Sequence, residues 1–304
     1  MNDLKILLTG STGFIGNAFL RLAISKGYKV GALILPGLKI PEDLVNNPKV
    51  NWFIGSLNNV NWKEIERFNP DVCLHTAWIT TPGVYLHSPE NYAFAKESLE
   101  FIRNAARCGV KNVIVTGTCI EYKQSEKPLN EDNSPIEPQT VYSKCKHQLH
   151  LDLIASAKEI GFNLVWTRIF YPYGIGEHPD RLCSFIIRKL LNNENVELKT
   201  PDSAKDYIYI TDIAEALLII VEKKFSGTIN IGSGQSVTVR EIAELIGTIL
   251  DKKHLIKNSP NKGLPDFTVA DISKLKSLGW TQKISIQEGL TLLIEHLRNK
   301  NFIS

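Results

Sequence analysis

One glycine-rich stretch, Thr9–Gly16 with the sequence TGSTGFIG, constrains the fold more than any other part of the chain. It follows an apolar run, Ile6–Leu8, that predicts a buried strand, and it precedes a helical pattern of apolar residues. A glycine-rich turn between a strand and a helix leaves backbone N–H groups free at the positive end of the helix, where a pyrophosphate binds. Gly10 permits the tight turn, Gly13 lets phosphates approach the backbone, and Gly16 lets the helix pack close to the strand. This context predicts a dinucleotide-binding turn, and a purely structural turn is the alternative.

Strand and helix patterns alternate through the first half of the chain. The strands are apolar and rich in β-branched residues, which is typical of a parallel sheet covered by helices on both faces. Further strands are predicted over 29–35, 50–55, 71–77, 112–116 and 162–167, and helices over 62–68, 91–108 and 141–160. We therefore predict an α/β fold with a doubly wound parallel sheet, in a dinucleotide-binding domain over residues 1–170.

The pattern changes after Arg168. Residues 171–176 are predicted to form a loop, and Asp212 is predicted to cap a helix over 213–222. The remaining short strands and helices predict a smaller C-terminal α/β region over 171–304 that binds substrate, with residues 206–224 packing back on the first domain. A ligand would then lie at the carboxyl ends of the parallel strands, between the two regions.

Composition excludes several classes of function. A net charge of +3 in 304 residues is too small to indicate nucleic-acid binding, and no apolar run approaches the length of a membrane span. The five cysteines are scattered without the spacing of metal ligands, so we predict no metal site. Their odd number and the absence of a visible signal peptide predict reduced thiols in a cytoplasmic protein.

Three residues on successive elements suit acid–base chemistry. Thr118 ends the fifth predicted strand, and Tyr142 and Lys146 lie four residues apart at the start of the next helix, so they share one helix face. A phenol titrates near 10, and to act near neutrality its pKa needs to fall by about three units. A neighbouring ammonium favours the phenolate. These groups suit proton transfer to or from a carbinol or carbonyl oxygen while hydride moves to or from a nicotinamide.

With these motifs, the chain resembles an extended short-chain dehydrogenase/reductase of the nucleotide-sugar epimerase/dehydratase type. The glycine turn matches the family's TGxxGFIG, Thr118 its catalytic Ser/Thr, and Tyr142 and Lys146 its YxxxK. Further matches are RIFYPYG at 168–174 to RxFNxYG, KDYIY at 205–209 to RDYIYV, NIGSG at 230–234, and LGW at 278–280. The resemblance implies a Rossmann-type fold, a nucleotide-sugar substrate and a homodimer formed through helices 91–108 and 141–160.

The resemblance also implies which residues bind each ligand. The cofactor-binding residues are predicted to be Gly10, Thr12, Gly13, Phe14, Ile15, Gly16, Leu35, Ser56, Leu57, Thr76, Ala77, Tyr142, Lys146 and Tyr171. The substrate-binding residues are predicted to be Trp78, Thr80, Thr81, Thr118 and Lys205. NAD-preferring relatives carry an acidic residue at the end of the second strand, and here Leu33–Gly37 has none, which favours NADP(H) over NAD(H).

Departures from the family narrow the reaction. Dehydratases carry Asp-Glu directly after the catalytic Thr, whereas Cys119-Ile120 follows Thr118 here, which argues against dehydration. The expectation is a reductase of a nucleotide-linked 4-keto-6-deoxyhexose in deoxysugar biosynthesis, such as that of lipopolysaccharide. A C4 epimerase with tightly bound NAD and a catalytically silent NADP-binding protein are alternatives. An epimerase-reductase of the GDP-fucose synthase type, using Cys119 and His178 as base and acid, is another.

Overall fold

A seven-stranded parallel sheet forms the centre of the molecule. The computed structural model describes residues 4–259 and 263–301, so the predicted domain limits at 1 and 304 lie outside the described residues. The strand order is β11-β6-β5-β4-β1-β2-β3, and every neighbouring pair is parallel. The strands are β1 (Lys5–Thr9), β2 (Lys29–Ile34), β3 (Val50–Ile54), β4 (Val72–His75), β5 (Asn112–Thr118), β6 (Asn163–Ile169) and β11 (Gly227–Ile231). The predicted α/β fold with a Rossmann-type sheet is confirmed.

Helices cover both faces of this sheet, and short strands form small sheets in the later part of the chain. The helices are α1 (Phe14–Ser25), α2 (Trp62–Phe68), α3 (Glu90–Arg107), α4 (Val141–Ile160), α5 (Leu182–Leu191), α6 (Ile210–Lys223), α7 (Val239–Leu250), α8 (Ser273–Ser277) and α9 (Ile286–Asn301). The short strands are β7 (Tyr171–Tyr173), β8 (Val196–Leu198), β9 (Ala204–Lys205), β10 (Tyr207–Tyr209), β12 (Val237–Thr238), β13 (Ile256–Asn258) and β14 (Phe267–Thr268). Among the described residues no helix is both long and apolar enough to cross a membrane.

The strand order reverses at β1. This strand pairs with β2 on one side and with β4 on the other, so the connections leave its carboxyl end in opposite directions. Such a switch point opens a crevice outside the carboxyl ends of the strands, and ligands of open α/β sheets bind there. The glycine turn after β1 and the residues after β4 therefore face the same crevice.

Three features differ from the sequence prediction. Residues 171–173, predicted as loop, form β7, which pairs in parallel with β10. Strand β11 (Gly227–Ile231), which lies within the predicted C-terminal region, instead joins β6 at the edge of the main sheet. Helix α6 begins at Ile210 rather than 213, so Asp212 does not cap it; the Asp212 carboxylate accepts the backbone N–H groups of Lys283 and Ile284.

Helix α6 packs against α1 on the main sheet, where the Tyr28 hydroxyl donates to Glu222 Oε1 at 2.6 Å. The predicted boundary between two domains at residue 170 stays a prediction. Strand β11 and helix α6 follow that boundary in the chain, yet they pack with elements that precede it. The two parts of the chain therefore share one sheet.

The buried Asp206 carboxylate ties three segments of the C-terminal part together. It accepts hydrogen bonds from the backbone N–H and the hydroxyl of Ser233, from Gly234 N and from Ala270 N, at 2.6–3.1 Å. Burial raises the pKa of Asp206, and these donors oppose that effect. A fully buried carboxylate with four donors fixes the positions of the loops that supply them.

We expect Asp206→Ala to lower the free energy of unfolding by about 3 kcal/mol or more, because it leaves the backbone N–H groups of Ser233, Gly234 and Ala270 without this acceptor, and those of Ser233 and Ala270 are buried. Urea unfolding followed by circular dichroism measures the change. Asp202→Ala is the matched control, since that exposed carboxylate pairs only with the partly exposed Arg240 and should matter by less than about 1 kcal/mol. Equal midpoints for the two variants would contradict the role of Asp206.

Candidate active site

The glycine turn brings β1, α1 and β4 into closer contact than side chains would allow. Gly10 has φ +69°, and a Cβ atom there would lie 2.6 Å from Thr76 Oγ1 and 2.7 Å from Ala77 N. A Cβ at Gly16 would lie 2.1 Å from Gly10 O. Gly13 N donates to Gly10 O at 2.9 Å, which closes the turn. The roles predicted for Gly10 and Gly16 thus have a direct steric basis in this structure.

The amino end of α1 is built to receive an anion. Gly13 is its N-cap and provides no side-chain cap, and the first turn carries no acidic residue. The free N–H groups of that turn and the helix dipole therefore point at the crevice without a protein group to satisfy them. Exposed Thr12 and half-buried Phe14 and Ile15 border this end of the helix. The cradle fits a dinucleotide pyrophosphate.

Residues after β4 complete the wall beside the turn. The Thr76 hydroxyl donates to Thr9 O at 2.8 Å, and Ala77 N donates to Thr9 Oγ1 at 3.3 Å. Thr9 Oγ1 also bonds His75 Nδ1 at 2.9 Å. Burial, with a smaller contribution from Lys146, lowers the pKa of His75 to about 3, so this ring is neutral. The structure therefore brings Thr76 and Ala77 next to the glycine turn, as a shared cofactor wall requires.

The ends of β2 and β3 lie farther along the same crevice. Leu35 directly follows β2 and is 53% exposed, and no carboxylate stands in its place. Ser56 turns its hydroxyl toward Asn58 Oδ1 at 2.7 Å. The Leu57 side chain is buried in the core beneath the sheet, so any contact that Leu57 makes with a cofactor would come from its backbone. Ser11, which was not predicted, ties the turn to β2 by donating to Leu33 O at 2.8 Å.

Thr118 and Tyr142 meet at the carboxyl end of β5. Thr118 ends that strand and caps the following 3₁₀ turn, Cys119–Glu121, and Tyr142 lies in the first turn of α4. Burial and the neighbouring Tyr85 raise the pKa of Tyr142, and a side-chain hydrogen bond with Thr118 opposes this rise. The phenol is 8% exposed and stays protonated at neutral pH. The downward shift expected from sequence is therefore absent from the free protein, because burial outweighs the hydrogen bond.

Lys146 lies one helical turn after Tyr142 and is 1% exposed. Its Nζ donates to Thr116 O at 2.8 Å. Burial lowers the pKa of Lys146 to about 7, although the charge of Glu121 acts in the opposite direction. Thr118, Tyr142 and Lys146 thus stand at the end of β5 and on the facing side of α4, as the sequence spacing predicted.

Sequence reasoning missed a buried charge network directly behind Thr118. Glu121 Oε1 accepts Thr118 N at 3.0 Å, and Glu121 Oε2 accepts Arg168 Nε at 3.2 Å. Trp166 Nε1 donates to the same carboxylate at 3.0 Å. Despite burial, the side chain of His147 and the charge of Arg168 hold the pKa of Glu121 below its usual range. The acidic residue Glu121 in the segment GTCIEYK was the available sequence signal.

Two imidazoles adjoin this network. One ligand atom each from Glu121, His147 and His150 lies within 4.8 Å of the others. The Nδ1 atoms of His147 and His150 are buried and make no hydrogen bond. The carboxylate, however, already receives donors from Thr118, Trp166 and Arg168, and a metal ion there would meet the guanidinium charge. The arrangement suits an anchor for Thr118 better than a metal centre.

The residues expected near the substrate lie on two sides of the crevice. Lys205 Nζ pairs with Asp266, also donates to Thr268 Oγ1 at 3.2 Å, and lies 5.0 Å from the centre of the Tyr171 ring. Asp266, which was not predicted, thus balances the charge of Lys205, a residue that was predicted to bind substrate. The pKa of the Tyr171 phenol is raised, mainly by burial. The Lys205 charge is therefore shared before any ligand binds.

The opposite side is the segment after β4. Thr80 and Thr81 are exposed, and Arg181, the residue before α5, donates to Thr80 O at 3.2 Å and stacks over the Tyr85 ring. The Trp78 indole lies over Lys146 and donates to Asn91 Oδ1 at 2.8 Å. Arg181 and Asn91 were not predicted. They position the segment that carries the expected substrate contacts.

Cys119 and His178 lack the properties of a base and acid pair. Burial raises the pKa of the Cys119 thiol to about 12, so it is not a thiolate near neutrality. His178 lies on an exposed loop, where its Nδ1 accepts Asp180 N at 3.2 Å and faces the Asp180 carboxylate. The geometry gives both residues local structural partners.

Comparisons with known proteins indicate the family of this chain. A model of the NAD dependent epimerase/dehydratase family matches residues 6–232. The chain is 27% identical to dTDP-4-dehydro-6-deoxyglucose reductase from Escherichia coli, over 97% of this chain and 98% of that protein. It is also similar to the structure of UDP-glucose 4-epimerase from Thermotoga maritima with UDP-glucose (TM-score 0.84, 25% identity, 98% and 100% coverage). A third similar structure is MoeE5 with UDP-glucuronic acid and NAD (TM-score 0.83, 25% identity, 97% and 99% coverage).

We expect Gly10→Ala to abolish dinucleotide binding, because the added Cβ would strain a positive φ and collide with Thr76 and Ala77. Titration calorimetry with NADH and NADPH measures the loss. Gly109→Ala is the matched control: Gly109 also has a positive φ, of +105°, but a Cβ there meets nothing within 4 Å. If both variants weakened binding equally, backbone strain rather than the cradle would be the cause.

Proposed function

The chain belongs to the NAD-dependent epimerase/dehydratase family, and we propose that it is an NADP(H)-dependent reductase of a nucleotide-diphosphate-linked 4-keto-6-deoxyhexose. The observation that carries this proposal is the pairing of Thr118 with a buried, protonated Tyr142 beside the glycine cradle. A protonated phenol is the form that donates to the oxygen of a ketone under reduction.

The nicotinamide, when bound, supplies the hydride that reduces the carbonyl carbon at C4. The Tyr142 hydroxyl gives its proton to the carbonyl oxygen, so one C–H bond and one O–H bond form and the phenol becomes a phenolate. The Thr118 hydroxyl donates to the same oxygen and polarises the carbonyl. Lys146 would hold the cofactor ribose, and its ammonium would stabilise the phenolate until a solvent proton restores the phenol.

Three further features support reduction over the alternatives. The Escherichia coli relative is a reductase of a 4-dehydro-6-deoxy sugar nucleotide. Cys119 has a raised thiol pKa, which disfavours the epimerase-reductase mechanism that needs a thiolate base. Cys119-Ile120 also stands where dehydratases carry two acidic residues.

The cofactor preference rests on the end of β2. Exposed Leu35 and its neighbours present no carboxylate that would bind ribose hydroxyls and repel a 2′-phosphate. We therefore propose NADP(H) as the preferred cofactor. NAD is the alternative, and it is the cofactor named for the similar MoeE5 structure.

A C4 epimerase is the second candidate function. The similarity to the Thermotoga maritima epimerase supports it, because that structure covers 98% of this chain at a TM-score of 0.84. An epimerase returns its hydride to the sugar, so it would retain NAD and consume no external reductant.

We also propose a homodimer formed through α3 and α4. Tyr92 on α3 and Leu151 and Ile154 on α4 are exposed large apolar side chains, and the two helices pack side by side. Two copies joined through these helices would bury that apolar surface.

We expect the protein to oxidise NADPH when it is given a 4-keto-6-deoxyhexose linked to a nucleoside diphosphate. The reaction is monitored by the loss of absorbance at 340 nm, where the reduced nicotinamide absorbs. UDP, TDP, GDP and CDP derivatives are compared, with NADH in parallel and the corresponding 4-hydroxy sugars as controls. Interconversion of 4-hydroxy sugars without net NADPH oxidation, by protein that carries bound NAD, would instead indicate the epimerase.

We expect Tyr142→Phe to lower kcat by about 10²–10⁴-fold, because it removes the proton donor and leaves the ring in place. The Kd for NADPH should change by less than about threefold, since the cradle is untouched. The matched control is Tyr28→Phe, which removes a hydroxyl that donates to Glu222 Oε1 at the amino end of β2, opposite the crevice. Undiminished turnover of Tyr142→Phe would refute the assigned role.

A further inference from the structure

The indole ring of Trp78 covers the Lys146 ammonium: Nζ lies 3.8 Å from the ring centre. A cation over the face of a tryptophan is attracted by the negative quadrupole of the ring, and the attraction is strongest where water is excluded. We propose that Trp78 is a positioning residue that keeps Lys146 charged and in place through this cation–π contact. Sequence reasoning had assigned Trp78 to the substrate.

Lys146 needs such a partner because few groups stabilise its charge. The side chain is almost fully buried, and among the described residues its Nζ donates one hydrogen bond, to Thr116 O at 2.8 Å. Two titratable groups interact electrostatically with Lys146. Glu121 favours the charged form of the amine, and His75 is neutral. Tyr142, one turn earlier on α4, is protonated and also neutral. The ring of Trp78 is therefore a major favourable contact of the buried ammonium.

The position of Trp78 is itself fixed. Its Nε1 donates to Asn91 Oδ1 at 2.8 Å. Asn91 is fully buried at the start of α3, and its amide group donates to Tyr85 O at 2.7 Å and to Ser88 O at 2.8 Å. With both ends of its amide bonded, Asn91 holds the indole in one orientation. Phe94 packs beside the indole at 5.9 Å between ring centres.

The same indole also borders the catalytic phenol. The Trp78 and Tyr142 rings lie edge to face with 6.2 Å between their centres. The Tyr85 ring also contacts the Tyr142 ring, with 5.0 Å between their centres. One aromatic wall thus contacts both the ammonium and the phenol. The importance of this wall for turnover rests on the proposed function, in which charged Lys146 stabilises the phenolate, but its effect on the Lys146 pKa does not.

The test measures the pKa of Lys146 in the free protein, without substrate or cofactor. Protein labelled with [ε-¹³C]lysine is titrated by NMR, and Lys146→Met identifies the resonance. We expect Trp78→Leu to lower the Lys146 pKa by about half a unit to one and a half units, because the ring that stabilises the charge is gone. Trp78→Phe keeps an aromatic face and should give a smaller shift.

Trp52→Leu is the matched control, since Trp52 is also partly buried and donates its indole N–H, to Leu44 O at 3.4 Å. It should leave the Lys146 pKa unchanged. Should Trp78→Leu fail to fold, a tetrafluorinated tryptophan at position 78 removes the ring quadrupole while keeping its shape, and should lower the pKa similarly. An unchanged pKa in the folded Trp78 variants, or an equal shift in Trp52→Leu, would overturn the inference. A shifted pKa in a protein that reduces no nucleotide sugar would leave the inference standing and refute the proposed function.

Discussion

The amine of Lys146 is buried, and the residues around it must stabilise its charge. An ammonium removed from water loses its solvation, and this loss is large enough to bring the pKa of Lys146 to about 7. The carbonyl of Thr116, the face of Trp78 and the charge of Glu121 offset it from three directions. Each comes from a different element, so the packing of β5, α4 and the segment after β4 is coupled to one charge.

The network behind Thr118 answers a second demand of the same kind. Glu121 is fully buried, and a lone carboxylate there would be unstable without donors. Arg168, Trp166 and Thr118 N supply them, and in doing so they hold the backbone of Thr118 at the strand end. The backbone of Thr118 is therefore positioned by a buried charge pair, Glu121 and Arg168.

Much of this architecture could be predicted from the sequence, and the reasons are local. The bounds of α2 and α4 match the expected ranges because apolar periodicity and capping residues act over a few residues, as with Thr140 at the start of α4. The glycine turn and the placement of Tyr142 and Lys146 follow from spacing along one element. The candidate site was therefore predictable where one turn or one helix face defines it.

What could not be predicted depends on pairing between distant segments. β7 is a three-residue strand that pairs only with β10 among the described strands, and β11 joins β6 although residues 170–226 separate them in the chain. Asp266 reaches Lys205 and Asn91 reaches Trp78 by the same kind of long-range contact. No periodicity marks such partners, because each is a single polar side chain whose role arises when the chain folds.

The opposite pKa shifts of Tyr142 and Lys146 belong to one physical design. Burial raises the pKa of an acid that is neutral when protonated and lowers the pKa of a base that is charged when protonated. In the proposed reduction, the first effect keeps the proton on the phenol until the substrate oxygen, a developing alkoxide, becomes a better acceptor. Once the proton has left, the phenolate gives Lys146 a nearby negative charge, which raises the pKa of the ammonium and lowers that of the phenol. Each group is thus poised in the free protein and stabilised by the other after proton transfer, and the dry, aromatic-walled position of the pair makes that mutual effect strong.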